Sequence, residues 1–109
     1  MTSRLWLWCA PLPEETAAAF DAGSVPRLAD EGAVEALLAR AATGSEHLLV
    51  LGPERLAAVV VAALDLPPEG AAALQIDEGR GASLVLGPLG WELERFGAAG
   101  TGPHLAARR

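Results

Sequence analysis

Residues 47–64 read HLLVLGPERLAAVVVAAL, in which a short apolar run leads through Gly-Pro into a longer one. The first run, His47–Leu51, predicts a strand that is buried on both faces. Pro53 suits the first turn of a helix, and apolar residues recur at helical spacing after it. A buried strand that leads directly into a helix is the unit from which α/β sheets are built, so this stretch predicts an α/β fold.

The N-terminal part predicts another strand of the same kind. Residues Arg4–Cys9 are bulky and almost wholly apolar, which again indicates a strand covered on both faces. Pro11 ends this strand, and an alanine-rich helix is expected from Pro13 to Ala22 with Gly23 after it. Three layers, or two, are both compatible with such strands.

A second helix is expected next, with Asp30 as its N-cap and Gly44 as its end. Residues at i, i+3, i+4 and i+7 of this helix form an apolar stripe that should face a core: Val34, Leu37, Leu38 and Ala41. After the third helix, which begins at Pro53, the Pro-Pro pair in residues 66–69 predicts a short helical turn.

The last third predicts short strands at residues 74–77, 82–86 and 91–96, with a hairpin loop at 87–90. Gly79-Arg80-Gly81 is interpreted as a glycine loop, since it lacks the pattern of a dinucleotide site. The element order is β-α-α-β-α-β-β-β. It predicts one α/β domain over residues 1–109, a two-layer or three-layer sandwich with central parallel strands and an antiparallel C-terminal hairpin. Residues 97–109 are expected to form a flexible tail.

The composition argues against several classes of function. The chain has 109 residues, 51% of them hydrophobic, with a net charge of −6 and a single cysteine. The acidic balance disfavours nucleic-acid binding, and one cysteine excludes an internal disulfide and a cysteine-based zinc site. The sequence shows neither a signal peptide nor an apolar run long enough for a membrane span, so a cytoplasmic protein is expected. Without lysine or tyrosine, two common acid–base groups are missing as well.

Two segments are candidates for a binding site, because each follows a predicted strand. They are Cys9-Ala10-Pro11 and Gly52-Pro53-Glu54. A helix N-terminus can cradle an anion, but Pro53 removes one N–H donor and Glu54 adds a negative charge. His47 and His104 show no metal-ligand spacing, and no cofactor or metal is expected.

Several segments also occur in a recognisable order: Arg4–Trp8, Pro26–Gly32, Leu48–Glu54, Leu66–Glu69, Ile76–Gly79, Ser83–Trp91 and Thr101–Leu105. In this order the chain resembles the histidine phosphatase (phosphoglycerate mutase-like) superfamily. In that family the opening strand runs into Arg-His-Gly, and a later strand runs into Ser-His-Gly-Gly. A Leu-Pro-Pro turn, an Asp-Asn-Gly-Ser segment and a final hairpin follow. The resemblance covers both ends of the family domain and lacks its middle segment.

The departures from this family fall on its catalytic positions. Its phosphate-accepting histidine corresponds to Ala10, the preceding arginine to Cys9 and the following glycine to Pro11. Its second histidine corresponds to Gly52. Since alanine is no nucleophile and glycine carries no charge, the resemblance implies a degenerate, shortened relative without phosphatase activity or catalytic residues.

Three functions follow as hypotheses. The first is a non-catalytic protein that acts through protein–protein contacts or self-association, on surface that the missing segment would have covered. The second is a binder of a small phosphorylated or anionic ligand in the degenerate pocket between Cys9–Pro11 and Gly52–Glu54. The third is an enzyme of different chemistry, in which a base such as His47 must lie within hydrogen-bond reach of the Cys9 sulfur.

Overall fold

The computed structural model describes residues 3–74 and 76–98. The strands and α-helices predicted around the two buried runs form in this part of the chain. The elements are β1 (Arg4–Cys9), α1 (Glu14–Ala22), α2 (Val34–Ala41), β2 (Glu46–Leu51), α3 (Pro53–Ala63), a short 3-10 helix (Pro68–Ala73), β3 (Gly81–Gly87) and β4 (Gly90–Ala98).

The four strands form one mixed sheet in the order β2-β1-β3-β4. β1 and β2 are parallel, whereas β3 runs antiparallel to both β1 and β4. The fold is therefore α/β, with the C-terminal hairpin as predicted. Among the four strands, only β1 and β2 pair in parallel, and β2 is an outer strand of the sheet rather than a central one. The reason is that the chain after α3 returns to the carboxyl end of β1, so β3 must run in the opposite direction.

Side chains of β1 alternate between two cores, as its unbroken apolar sequence predicts. Leu5, Leu7 and Cys9 enter the first core, where α2 and α3 pack against the sheet. Trp6 and Trp8 enter the second core with Phe20 of α1. Both faces of β1 are thus removed from water, which explains why it carries no polar residue between Leu5 and Cys9.

The outer edges of β2 and β4 are protected from further strand pairing in different ways. The backbone N–H of Leu48 in β2 donates to the Pro26 carbonyl at 2.9 Å, and the Leu28 N–H donates to the Leu48 carbonyl at 2.8 Å. The segment before α2 therefore extends the sheet by a parallel bridge at Arg27. β4 instead carries register shifts against β3, one between Gly81 and Ala82 and one between Ser83 and Leu84. Such irregularities discourage pairing at an edge.

The predicted N-cap of α2 is wrong. The helix begins at Val34 after Ala33, and no side chain caps it. Asp30 instead accepts a hydrogen bond of 3.0 Å from the Arg55 Nε atom in α3. Asp30 lies three residues before the cap position at Ala33, and its carboxylate forms an ion pair with Arg55 instead. The apolar stripe of α2 is confirmed, with Leu37 and Ala41 fully buried.

Three boundary predictions also change. Leu74, Ile76 and Asp77 belong to no strand, since Ile76 is instead a buried core residue in an extended connection. Gly81 is part of β3 rather than of a loop. β4 continues to Ala98, so the first two residues of the predicted tail are strand, and residues 99–109 lie outside the described residues.

A polar network spans the sheet near the start of β1. Arg4 donates from Nε and Nη2 to the two carboxylate oxygens of Glu94 in β4, at 3.0 and 2.9 Å. Ser83 of β3 donates to the same carboxylate at 2.9 Å. Glu46 of β2 lies 3.7 Å from Arg4 Nη1 and accepts a hydrogen bond of 2.8 Å from Trp6 Nε1. One network therefore connects all four strands.

Glu94 makes the stability of this network depend on pH. Burial raises the pKa of its carboxyl group, but the hydrogen bonds from Arg4 and Ser83 and the charges of Arg4 and Arg95 outweigh burial, so that its pKa is lowered. Its stabilising effect is complete above the ordinary glutamate pKa and is lost as pH falls through the lowered value.

We expect Glu94→Gln to lower the free energy of unfolding by about 1 kcal/mol near pH 7 and by almost nothing in strong acid, measured by chemical denaturation. The exposed control Glu14→Gln should cost little at either pH, and an equal loss in acid would contradict the assignment.

Candidate functional site

The two predicted segments meet at the carboxyl end of the sheet. Cys9 pairs with Leu51, the last residue of β2. The backbone N–H of Ala10 donates to the Leu51 carbonyl at 2.8 Å. Because β1 and β2 are parallel neighbours, Ala10 and Gly52 leave the sheet side by side, as the prediction of one shared pocket requires.

A third segment joins this end of the sheet, and the sequence interpretation missed it. The N–H of Gly79 donates to the Cys9 carbonyl at 3.0 Å, and the N–H of Cys9 donates to the Arg80 carbonyl at 2.9 Å. These bonds bring Asp77 and Glu78 close enough to Cys9 to act on its thiol electrostatically. The sequence carries no local signal for this approach, because it depends on the pairing of the start of β3 with the end of β1.

The N-terminus of α3 faces the same end. Gly52 is its N-cap, Pro53 takes the first helical position as predicted, and the Leu56 N–H donates to the Gly52 carbonyl at 2.9 Å. Glu54 is exposed in the first turn. Its negative charge stabilises the positive end of the helix dipole, which is the ordinary role of an acidic residue at this position.

The arginine of α3, Arg55, already has hydrogen-bond partners. Besides its bond to Asp30, Arg55 donates from Nη2 to the Gly32 carbonyl at 2.6 Å. Arg40 of α2 donates to the Glu31 carbonyl at 2.8 Å. Two arginine side chains thus fix the segment before α2. Arg55 would have to abandon both of its partners to bind an anion.

Carboxylates outnumber arginines at this end of the sheet, where Arg80 also lies, close to Glu78 and Asp77 in the chain. Glu54, Asp77 and Glu78 are all exposed there. Cys9 is fully buried in the first core. Burial raises the pKa of its thiol, and the carboxylates of Glu78 and Asp77 raise it further. A thiol with a raised pKa carries little thiolate near neutrality and is a poor nucleophile.

His47 lies too far from this cysteine to assist it. His47 pairs with Leu5, whereas Cys9 pairs with Leu51. Four residues along a strand correspond to about 13 Å, far beyond hydrogen-bond reach. Trp6 and Trp8 are buried in the second core, where they act as packing residues. His104 lies outside the described residues.

No group of three or more His, Cys, Asp or Glu side chains within residues 3–74 and 76–98 is arranged to hold a metal ion. None of the helices in this part of the chain combines the length and the apolarity needed to cross a membrane. Comparison with models of known protein families gives no match, and comparison with curated proteins gives none either.

The charge environment of Cys9 can be tested directly. Glu78→Gln removes a negative charge that disfavours the thiolate, so we expect a small fall in the pKa of the Cys9 thiol. The value should stay above that of a free cysteine, because burial is the larger cause. The pH dependence of the ultraviolet thiolate absorbance measures this pKa. Glu69→Gln, in the 3-10 helix, is the control and should leave the pKa unchanged.

Proposed function

We propose that this chain is a non-catalytic protein that acts through protein–protein contacts in the cytoplasm, and that it is a degenerate, shortened relative of the histidine phosphatases. One observation carries the proposal. The carboxyl end of the parallel strand pair combines two uncharged residues, Ala10 and Gly52, with three exposed carboxylates. Phosphoryl transfer needs a nucleophile and positive charge. Neither Ala10 nor Gly52 can act as a nucleophile. The exposed carboxylates outnumber the arginines at this end, Arg55 and Arg80.

The proposed ancestry is supported by the position of the two replaced residues. In the resemblance, Ala10 and Gly52 stand where the family has its two histidines. Cooperating catalytic groups must lie close together, and these positions follow directly paired strand ends. As the finer arrangement of the fold, we propose a three-layer sandwich. Its support is that α1 packs on one face of the sheet while α2 and α3 pack on the other.

Binding of a small anion is the weaker alternative. Glu54, Asp77 and Glu78 would repel a phosphate, and Pro53 cannot donate a hydrogen bond to one. Of the two arginines at this end, Arg55 already binds Asp30 and the Gly32 carbonyl. The other, Arg80, follows Asp77 and Glu78 in the chain, and these carboxylates offset its charge. A cysteine enzyme is disfavoured in the same way, since Cys9 is buried with a raised pKa and His47 is out of reach.

The test is hydrolysis of p-nitrophenyl phosphate by the purified protein. We expect a rate equal to that of buffer, because no group at Ala10 or Gly52 can accept the phosphoryl group. Variants Cys9→Ala and Glu54→Gln, purified in the same way, identify the source of any activity seen. Turnover that disappears in one of these variants would overturn the proposal, whereas turnover shared equally by all three preparations would come from a contaminant.

A further inference from the structure

The large apolar side chains that remain exposed are concentrated at one end of the sheet. Among the described residues they are Leu89, Leu93 and Leu66, with 98%, 40% and 38% of their surfaces exposed. Isolated exposed leucines are ordinary, but several at one place mark an interaction surface. The topology of the sheet determines where these three lie relative to each other.

Leu89 lies at the tip of the β3–β4 hairpin, beyond the start of β1. Val85 of β3 pairs with Arg4, the first residue of β1, and the Leu86 N–H donates to the Ser3 carbonyl at 2.9 Å. The hairpin turn after Gly87 therefore projects from the amino end of β1. This is the end opposite to Ala10 and Gly52.

Leu66 lies at the same end because it follows α3, and Leu93 lies there because of its register in β4. The helix starts beside the carboxyl end of β2 and contacts both β1 and β4, so it crosses the sheet toward β4. Leu66 comes just after its last turn. Leu93 pairs with Leu84, and Leu84 pairs with Leu5, which puts Leu93 in the amino half of the sheet on the face that α3 covers. Half-buried Trp91 lies on this face between Leu93 and the tip.

The charges around these residues select the kind of partner. Asp65 and Glu69 are exposed close to Leu66 in the chain, and Glu92 is exposed on the face of β4 opposite to Trp91 and Leu93. Arg4, at the same end, is already bound to Glu94. The segments 64–70 and 86–93 contain no arginine, lysine or histidine. A second copy of the chain would bring like charges against like, which is unfavourable. A partner with basic side chains would be attracted instead.

We propose that Leu66, Leu89, Trp91 and Leu93 form a docking surface, the leucine surface, for a protein segment that presents apolar side chains flanked by lysine or arginine. This inference rests on the proposed function, since it assigns the contact through which the protein would act. Leu89 serves as the anchor because it is almost completely exposed. The acidic residues beside the leucine surface set the charge of the partner.

The experiment uses isotope-labelled full-length protein and a synthetic amphipathic helical peptide of leucine and lysine. Two control peptides replace either lysine by glutamate or leucine by serine. We expect saturable shifts of the backbone amides of residues 64–66, 69 and 89–93 with the leucine–lysine peptide alone, at physiological salt. Leu89→Ser should weaken binding about tenfold or more, whereas Ala18→Ser on the exposed side of α1 should not. Leu89 is exposed, so its substitution leaves the fold intact.

Three results would overturn the inference. One is an equal response to the serine–lysine peptide, which would show attraction by charge alone. Another is a set of shifts centred on the carboxyl end of the sheet. The third is a dimer in sedimentation that Leu89→Ser dissociates, which would identify a second copy as the occupant. These outcomes differ from failure of the proposed function, which phosphate ester hydrolysis reports separately.

Discussion

Replacing Gly81 by alanine is expected to lower the free energy of unfolding by about 3 kcal/mol. A Cβ atom at this position would lie 2.5 Å from Cε3 of Trp8 and 2.8 Å from the Leu7 carbonyl oxygen. Neither neighbour can retreat easily, since Trp8 is buried in the second core and the Leu7 carbonyl belongs to the central strand. Chemical denaturation of the variant and the parent at the same pH measures the effect.

Gly70→Ala is the matched control for this substitution. A Cβ atom there would meet only Leu66 Cβ, at 3.8 Å, which is ordinary van der Waals contact. We expect a change of no more than about 0.5 kcal/mol in the control. Equal effects of the two substitutions would contradict the packing of Trp8 against β3, because a general effect of losing glycine would then suffice.

Phe20→Ala is expected to cost about 3–5 kcal/mol, which approaches the whole stability of many domains of this size. Phe20 is the fully buried large side chain that α1 contributes to the second core. Its ring meets that of Trp6 edge to face, with centroids 5.7 Å apart. Truncation leaves a cavity beside Trp6. We expect a weaker near-ultraviolet circular dichroism signal and a lower midpoint of unfolding.

The control for Phe20 lies on the exposed side of the same helix. Glu15→Ala should change stability by about 0.5 kcal/mol at most, since Glu15 is exposed in the first turn. If Phe20→Ala cost no more than Glu15→Ala, then α1 would not cover this face of the sheet. The proposed three-layer arrangement would fail with it.

Local sequence signals identified most elements of this fold. Prolines and glycines marked the ends of α1 and the start of α3, and continuous apolar runs marked β1 and β2. The sequence could not reveal that Asp30 would bind Arg55 instead of capping α2, because that choice depends on a contact between helices. The sequence around Ile76 resembles a strand, but Ile76 is a buried residue outside the strands, and periodicity cannot separate these two cases.

The candidate site was predictable where it depended on strand ends. Ala10 and Gly52 could be placed together, because parallel neighbours end at one edge. The approach of Asp77 and Glu78 could not be predicted, since it depends on the antiparallel pairing of β3 with β1 across most of the chain. That pairing decides the electrostatics of the site. It adds the carboxylates of Asp77 and Glu78 to that of Glu54, which the sequence had already placed there.

Two opposite ends of one sheet therefore have different properties. The carboxyl end is acidic and has Cys9 buried beneath it. The amino end exposes apolar side chains, with Leu89 as the most exposed. In α/β proteins, ligands usually bind at the carboxyl end. Under the two proposals, the protein has lost a catalytic site at the carboxyl end and binds a protein partner at the amino end.

The central claim is that the carboxyl end of the sheet neither binds nor processes phosphate. The most direct measurement is a titration of the isotope-labelled protein with inorganic phosphate and with a phosphate monoester, following the backbone amides of residues 9–10, 52 and 54–56. We predict no saturable shift of these amides with either compound at constant pH and ionic strength. A saturable shift confined to them would contradict the claim, because it would show that the N-terminus of α3 still cradles an anion beside Ala10.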